Sequence, residues 1–178
     1  MAGGLDAALA AGTICLPSEV VSPEGAVFLT TPEWRMQLRS AIAQSQPVCD
    51  GKLLTCREAL GSPADKANAR RRTGAAAVDM ESSAVAEVAA GHRLPFVAVR
   101  AIVDTADDFV PMALLAALAA QGDVSIGRLL AVLARAPSEL PTLLRLMLRY
   151  RAASRGLARV ARSRALDLPG MRGGSAPP

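Results

Sequence analysis

A chain of 178 residues, half of them apolar, has the size of a single domain with a substantial core and is too apolar for global disorder. Aromatic residues make up 3% of it, which disfavours a base-stacking platform for nucleic acid, and one histidine supports neither a Cys/His zinc site nor a Ser-His-Asp triad. The net charge of +4 is uneven: Arg135, Arg145, Arg149, Arg151, Arg155, Arg159, Arg162 and Arg164 crowd the C-terminal part, with no acid between Glu139 and Asp167, so an anionic partner is expected there.

Residues 13–16 and 26–30 read as strands around the turn-prone Ser22-Pro23-Glu24-Gly25. Thr30 or Thr31 is placed to cap a helix opening at Pro32 and running to about Ser45. A strand over 51–55 and a helix from Ser62-Pro63 through Arg72, closed by Gly74, come next. The apolar run 75–79 reads as a buried strand, 80–91 as an Ala-rich helix ended by Gly91, and 95–102 as another strand. Strand, helix, strand predicts a βαβ unit with parallel strands ending at one sheet edge. Glu81 and Asp104 would then face one crevice, where open α/β sheets bind ligands. Two helices are expected over 111–120 and 125–135, and a last one over about 142–164. Residues 168–178 are Gly-, Pro- and Ser-rich and expected to be disordered.

Cys15, Cys49 and Cys56, an odd number with no close pair in sequence, read as reduced thiols of a cytoplasmic protein, buried as small hydrophobes. The start lacks a basic-then-apolar signal, and 110–120 is too short an apolar run to span a bilayer. Asp107-Asp108 lacks neighbouring ligands and reads as a solvated turn rather than a metal site.

Three segments carry a family resemblance. VDMESSAVA at 78–86 resembles the V-x-M-E-x-x-A segment of the nucleoside phosphorylase and nucleosidase superfamily. RAIVDTAD at 100–107 resembles its R-A-I-S-D-x-A-D segment, which carries the catalytic Asp, and residues 1–20 resemble its S-A-G-G-L…G-D-I-V-V segment. The resemblance runs from residue 1 to about 133. It implies a three-layer α/β/α phosphorylase-like sheet over 1–136, followed by a basic amphipathic helical extension at 137–166 and a tail at 167–178. In that family the AGGL segment lies well inside the chain, behind strands and a Gly-rich loop. A chain starting at Met1 is therefore expected to lack the N-terminal strands and to be poorly stable or oligomeric.

The resemblance also implies roles. Asp104 donates a proton toward purine N7, and Glu81 accepts hydrogen bonds from the ribose 2′- and 3′-hydroxyls. Met80 forms an apolar wall under the sugar, Gly3 lets backbone approach the ligand, and Leu60 lines the base. Each has a plainer role: first-turn acid for Glu81, turn cap for Asp104, core for Met80 and Leu60, a tight turn for Gly3. Val103 stands where the family usually has Ser, and Ala59 where many relatives place an aromatic on the purine. The VDMES and RAIVDTADD wording and the basic C-terminus look most like the hopanoid-associated phosphorylases, which act on adenosylhopane, a nucleoside joined to a membrane lipid. The expected activity is adenine release from that substrate. A methylthioadenosine/S-adenosylhomocysteine-type nucleosidase and a non-catalytic nucleoside-binding or membrane-surface protein stay open beside it. No cofactor is implied beyond inorganic phosphate as a co-substrate competing with water. The expected partners are a purine nucleoside or nucleoside-lipid, a second copy of the chain and, through 142–164, the inner membrane surface; nucleic acid is not expected.

Overall fold

A computed structural model of the chain describes residues 1–110 and 140–163. The helices expected over 111–120 and 125–135 and the tail at 168–178 lie outside the described residues. In chain order the elements are β1 (Ala2–Gly4), β2 (Ile14–Cys15), β3 (Glu19–Val21), β4 (Val27–Leu29), α1 (Pro32–Ile42), β5 (Val48–Cys49), β6 (Leu53–Thr55), α2 (Pro63–Thr73), β7 (Ala77–Asp79), α3 (Ser82–Gly91), β8 (Arg100–Asp104) and, beyond the undescribed stretch, α4 (Leu140–Arg162).

The strands form one mixed sheet in the order β4-β3-β6-β7-β1-β8-β2-β5. β3, β6 and β7 run parallel, while β1 is antiparallel to β7 and parallel to β8. This corrects the expected βαβ unit. β1 lies between β7 and β8, which therefore run in opposite directions and do not end at one edge. The physical reason is the connection: α3 is followed by eight residues, 92–99, before β8 begins, enough chain to step over an intervening strand.

Helix ends follow local chemistry. α2 starts with Pro63 behind Ser62, whose hydroxyl accepts from Asp65 N at 3.1 Å, and stops at Gly74 in the left-handed conformation (φ 69°). Thr31 precedes Pro32 but does not cap α1 with its side chain; its Oγ1 accepts from Phe96 N at 3.0 Å and ties the helix entry to the segment before β8.

Alternation along each strand sorts the core. Leu53 and Ala77 pack with Ala2, Cys15 and Ile102, whereas Leu54 and Val78 pack on the other side with Leu5, Ala75, Leu60 and Ala69 of α2. α3 closes onto the Thr55 and Asp79 side through Ser82 and Ser83. α1 and α4 cover β2 and β8: Leu38, Ile42, Ala153 and Val160 bury against Ile14, Leu16, Ala101 and Val103. The C-terminal helix is thus a packed part of the core. Its buried positions, Ala153, Gly156 and Val160, recur at helical spacing, while Leu144, Met147, Leu148 and Tyr150 stay exposed.

Cys15 and Cys49 are register partners on the paired parallel strands β2 and β5. The thiols are therefore not all isolated, as their separation in sequence suggested; strand pairing joins residues 34 apart in number.

Candidate active site

β8 meets β1 through a bulge. Ala2 pairs with Ile102 and Gly3 with Asp104, leaving Val103 as the extra residue. Bulges re-aim side chains next to functional sites. Here Val103 turns into the core beside Ile14 and Leu38, and Asp104 turns toward Gly3. A Cβ on Gly3 would lie 3.0 Å from Asp104 Oδ2 and 3.4 Å from Val78 Cγ1, so the absence of a side chain there is what gives the carboxylate its space.

Asp104 is held by a residue the sequence reading missed. Lys66 of α2 is fully buried, and its Nζ donates to Asp104 Oδ2 at 2.5 Å, to Thr105 O at 2.7 Å and to Asp108 O at 3.0 Å. All three ammonium protons are used. Burial raises the Asp104 carboxyl above the ordinary range, while the Lys66 charge and hydrogen bond pull it back only part of the way. The turn after Asp104 is closed by Asp108, whose Oδ2 accepts from Thr105 N and Thr105 Oγ1, each at 2.7 Å, and pairs with Arg149 of α4. Against the desolvation of its partial burial, the Thr105 hydrogen bonds and the Arg149 charge hold Asp108 below the usual carboxylate range. Asp108 is therefore a structural acceptor, not a solvated turn residue. Among the described residues no group of three or more His, Cys, Asp or Glu is placed to hold a metal ion.

Glu81 sits at the other end of β8. It occupies the N-cap position of α3 without a side-chain capping bond, its carboxylate 69% exposed and 4.0 Å from the Arg100 guanidinium. Arg100 is anchored in turn: its Nε donates to Asp79 Oδ2 at 2.6 Å. The Asp79 carboxylate is fully buried and also accepts from Thr55 Oγ1 at 3.0 Å and Ser82 Oγ at 2.5 Å. Four residue steps along β8 lead from Arg100 to Asp104, roughly 13 Å. Met80 is half-exposed beside Glu81.

Leu60 is half-buried and packs against the cluster of Leu5, Leu54 and Val78. It also lines a cavity of about 370 Å³ with Ala59, Gly61, Phe109 and Val110, rimmed by Glu58, Ser62 and Asp65. Val110 N donates to Gly61 O at 2.8 Å, so this cavity is closed by the same chain segment that carries Asp104 and Asp108. Ala59 leaves its wall without an aromatic ring, and Phe109, 60% exposed, brings one from the opposite segment. Neither Lys66 nor Phe109 belongs to a motif. The only sequence signal for Lys66 was a lone lysine three residues before Ala69, on the helix side that packs inward.

No curated protein matches the chain. Among solved structures it is similar to the 5′-methylthioadenosine/S-adenosylhomocysteine nucleosidase of Colwellia psychrerythraea, solved with adenine: 26% identity and TM-score 0.56, covering 65% of this chain and 56% of the nucleosidase. It is also similar to the nucleosidase of the same name from Neisseria meningitidis (18% identity, TM-score 0.60, 91% of this chain and 66% of that one). The futalosine hydrolase of Helicobacter pylori is a third (17%, 0.62, 90% and 64%). At such identities the last two show the fold. The chain spans little more than half the length of the Colwellia enzyme. The model of the Phosphorylase superfamily matches residues 1–136 of the 178, and the chain belongs to that superfamily.

Proposed function

We propose that this site cleaves the N-glycosidic bond of a purine nucleoside, with Asp104 as leaving-group acid and Glu81 as ribose clamp. The observation that carries the reading is the placement of Asp104, a carboxyl of raised proton affinity aimed by a bulge at the bare backbone of Gly3. As the bond to ribose breaks, negative charge collects on the purine and positive charge on the sugar, whose C1′ is taken by water or inorganic phosphate. A proton passed from Asp104 to N7 neutralises the departing base, and the carboxylate so formed faces the Lys66 ammonium. Glu81, spared from helix capping, accepts from two vicinal hydroxyls and keeps the sugar in register with the acid. Met80 walls the sugar, Gly3 admits the ligand, and Leu60 lines the base.

The favoured substrate is adenosylhopane, with methylthioadenosine or S-adenosylhomocysteine as the second reading. The specific observation behind a nucleoside-lipid is α4: Leu144, Met147, Leu148 and Tyr150 are exposed among Arg145, Arg151 and Arg155, a combination suited to an anionic lipid surface. Among the described residues no helix is long and apolar enough to cross a membrane. Adenine release by the full chain, assayed in parallel with adenosylhopane in anionic vesicles and with methylthioadenosine, tests the activity and the choice of substrate together. Faster release from the lipid substrate is expected, falling when Leu144 and Leu148 are both replaced by Ser. Equal or greater turnover of methylthioadenosine, indifferent to those replacements, overturns the lipid assignment.

A further inference from the structure

The C-terminal helix reaches the turn that follows the acid. Arg149 of α4 pairs with Asp108 Oδ2, the oxygen that also accepts both Thr105 donors. Lys66, from the inner side, bonds Asp104 Oδ2 and the carbonyls of Thr105 and Asp108. The five-residue turn from Asp104 to Asp108 is thus gripped by two cations from two different helices, one wholly buried and one 28% exposed.

We propose that Lys66 and Arg149 are positioning residues that together fix the orientation and proton affinity of Asp104, making α4 part of the catalytic apparatus. Lys66 acts on the carboxylate directly. Arg149 acts through Asp108: with its guanidinium gone, the Asp108 charge is left uncompensated, the bonds closing the turn loosen, and the neighbouring negative charge makes Asp104 hold its proton more tightly. The charged groups facing Asp104 are Lys66 from α2 and Asp108 from its own turn, with Arg149 of α4 behind Asp108. Because α4 also carries the exposed apolar and basic surface, whatever docks on that helix is three hydrogen-bonded contacts from the acid, through Asp108 and Lys66. The catalytic consequence rests on Asp104 being the leaving-group acid; the electrostatic one does not.

The test is a carboxyl-carbon NMR titration of Asp104 in the full chain, its signal assigned by loss in Asp104→Asn, run beside the pH profile of adenine release from methylthioadenosine. Lys66→Met should raise the Asp104 midpoint by about one pH unit or more, the usual effect of removing an opposite charge at contact distance. Arg149→Gln should raise it by less, and Arg149→Lys should restore it. The basic limb of the pH profile should move with the midpoint. Should Lys66→Met fail to fold, the Arg149 pair, on a partly exposed side chain, decides alone. An unchanged midpoint in folded Arg149→Gln overturns the proposal. If the wild-type chain releases no purine from either methylthioadenosine or adenosylhopane while the midpoints shift as stated, the catalytic reading falls and the two-cation grip stands.

Discussion

Lys66 Nζ lies 2.5 Å from Asp104 Oδ2 although the lysine side chain is wholly shielded from solvent. A buried ammonium is tolerated when its donors are all satisfied and a carboxylate balances it. The pair therefore couples α2 to the end of β8, and any change at Asp104 is felt in stability as well as in chemistry.

That coupling has a pH signature. The folded-state pKa of Asp104 lies above its unfolded value, so the folded protein binds this proton more tightly than the unfolded chain does. The resulting stabilisation is fully present below the unfolded carboxyl pKa of about 3.9 and is lost as pH rises through the folded value. Asp104→Asn cannot lose it. The gap in unfolding free energy between wild type and variant, measured by urea titration at a series of pH values, should shift steadily in favour of the variant from about pH 4 upward. A gap independent of pH would contradict the raised proton affinity.

Glu81→Gln isolates binding from folding. The carboxylate is exposed and caps nothing, so unfolding free energy should change by no more than about 0.5 kcal/mol. Loss of charge-assisted acceptance from two hydroxyls should lower kcat/KM for purine release by roughly ten- to a hundredfold. A large loss of stability with little loss of activity would instead assign Glu81 to the fold.

The sequence made part of this legible. The segments around Glu81 and Asp104 announced themselves by motif, and α1, α2 and α3 were bounded by Pro, Ser and Gly signals that act locally. The sheet order was not readable. β1 is three residues, Ala2-Gly3-Gly4, with two glycines and no strand propensity, yet it inserts between β7 and β8 because glycine admits the Asp104 carboxylate and the Val78 side chain. β5, two residues long, shows no periodicity, so nothing indicated that Cys49 would pair with Cys15. Lys66 was hidden for a related reason: α2 is poor in apolar residues, and its buried side was marked by a charge.

The Cys15–Cys49 register has its own consequence. A hydrogen bond from the Cys15 thiol, joined by one from Gly51 N–H, holds the Cys49 thiol below its ordinary range even against its own partial burial, while Cys15 is pushed up. Cys56 is raised by burial. Iodoacetamide at neutral pH should label Cys49 first, with Cys56 slower and Cys15 last, as read by peptide mass spectrometry. Cys15→Ala, which removes the hydrogen bond, should slow labelling of Cys49. Faster labelling of Cys56 than of Cys49 would contradict this ordering.

The central claim is that Asp104 delivers a proton to a departing purine, and the most direct measurement is adenine release by the full chain and by Asp104→Asn at saturating nucleoside. The account predicts measurable turnover in the wild type and a fall in kcat of roughly a hundred- to ten-thousandfold in the variant, with nucleoside binding retained. Turnover unaffected by Asp104→Asn, in a variant shown to be folded, would contradict it.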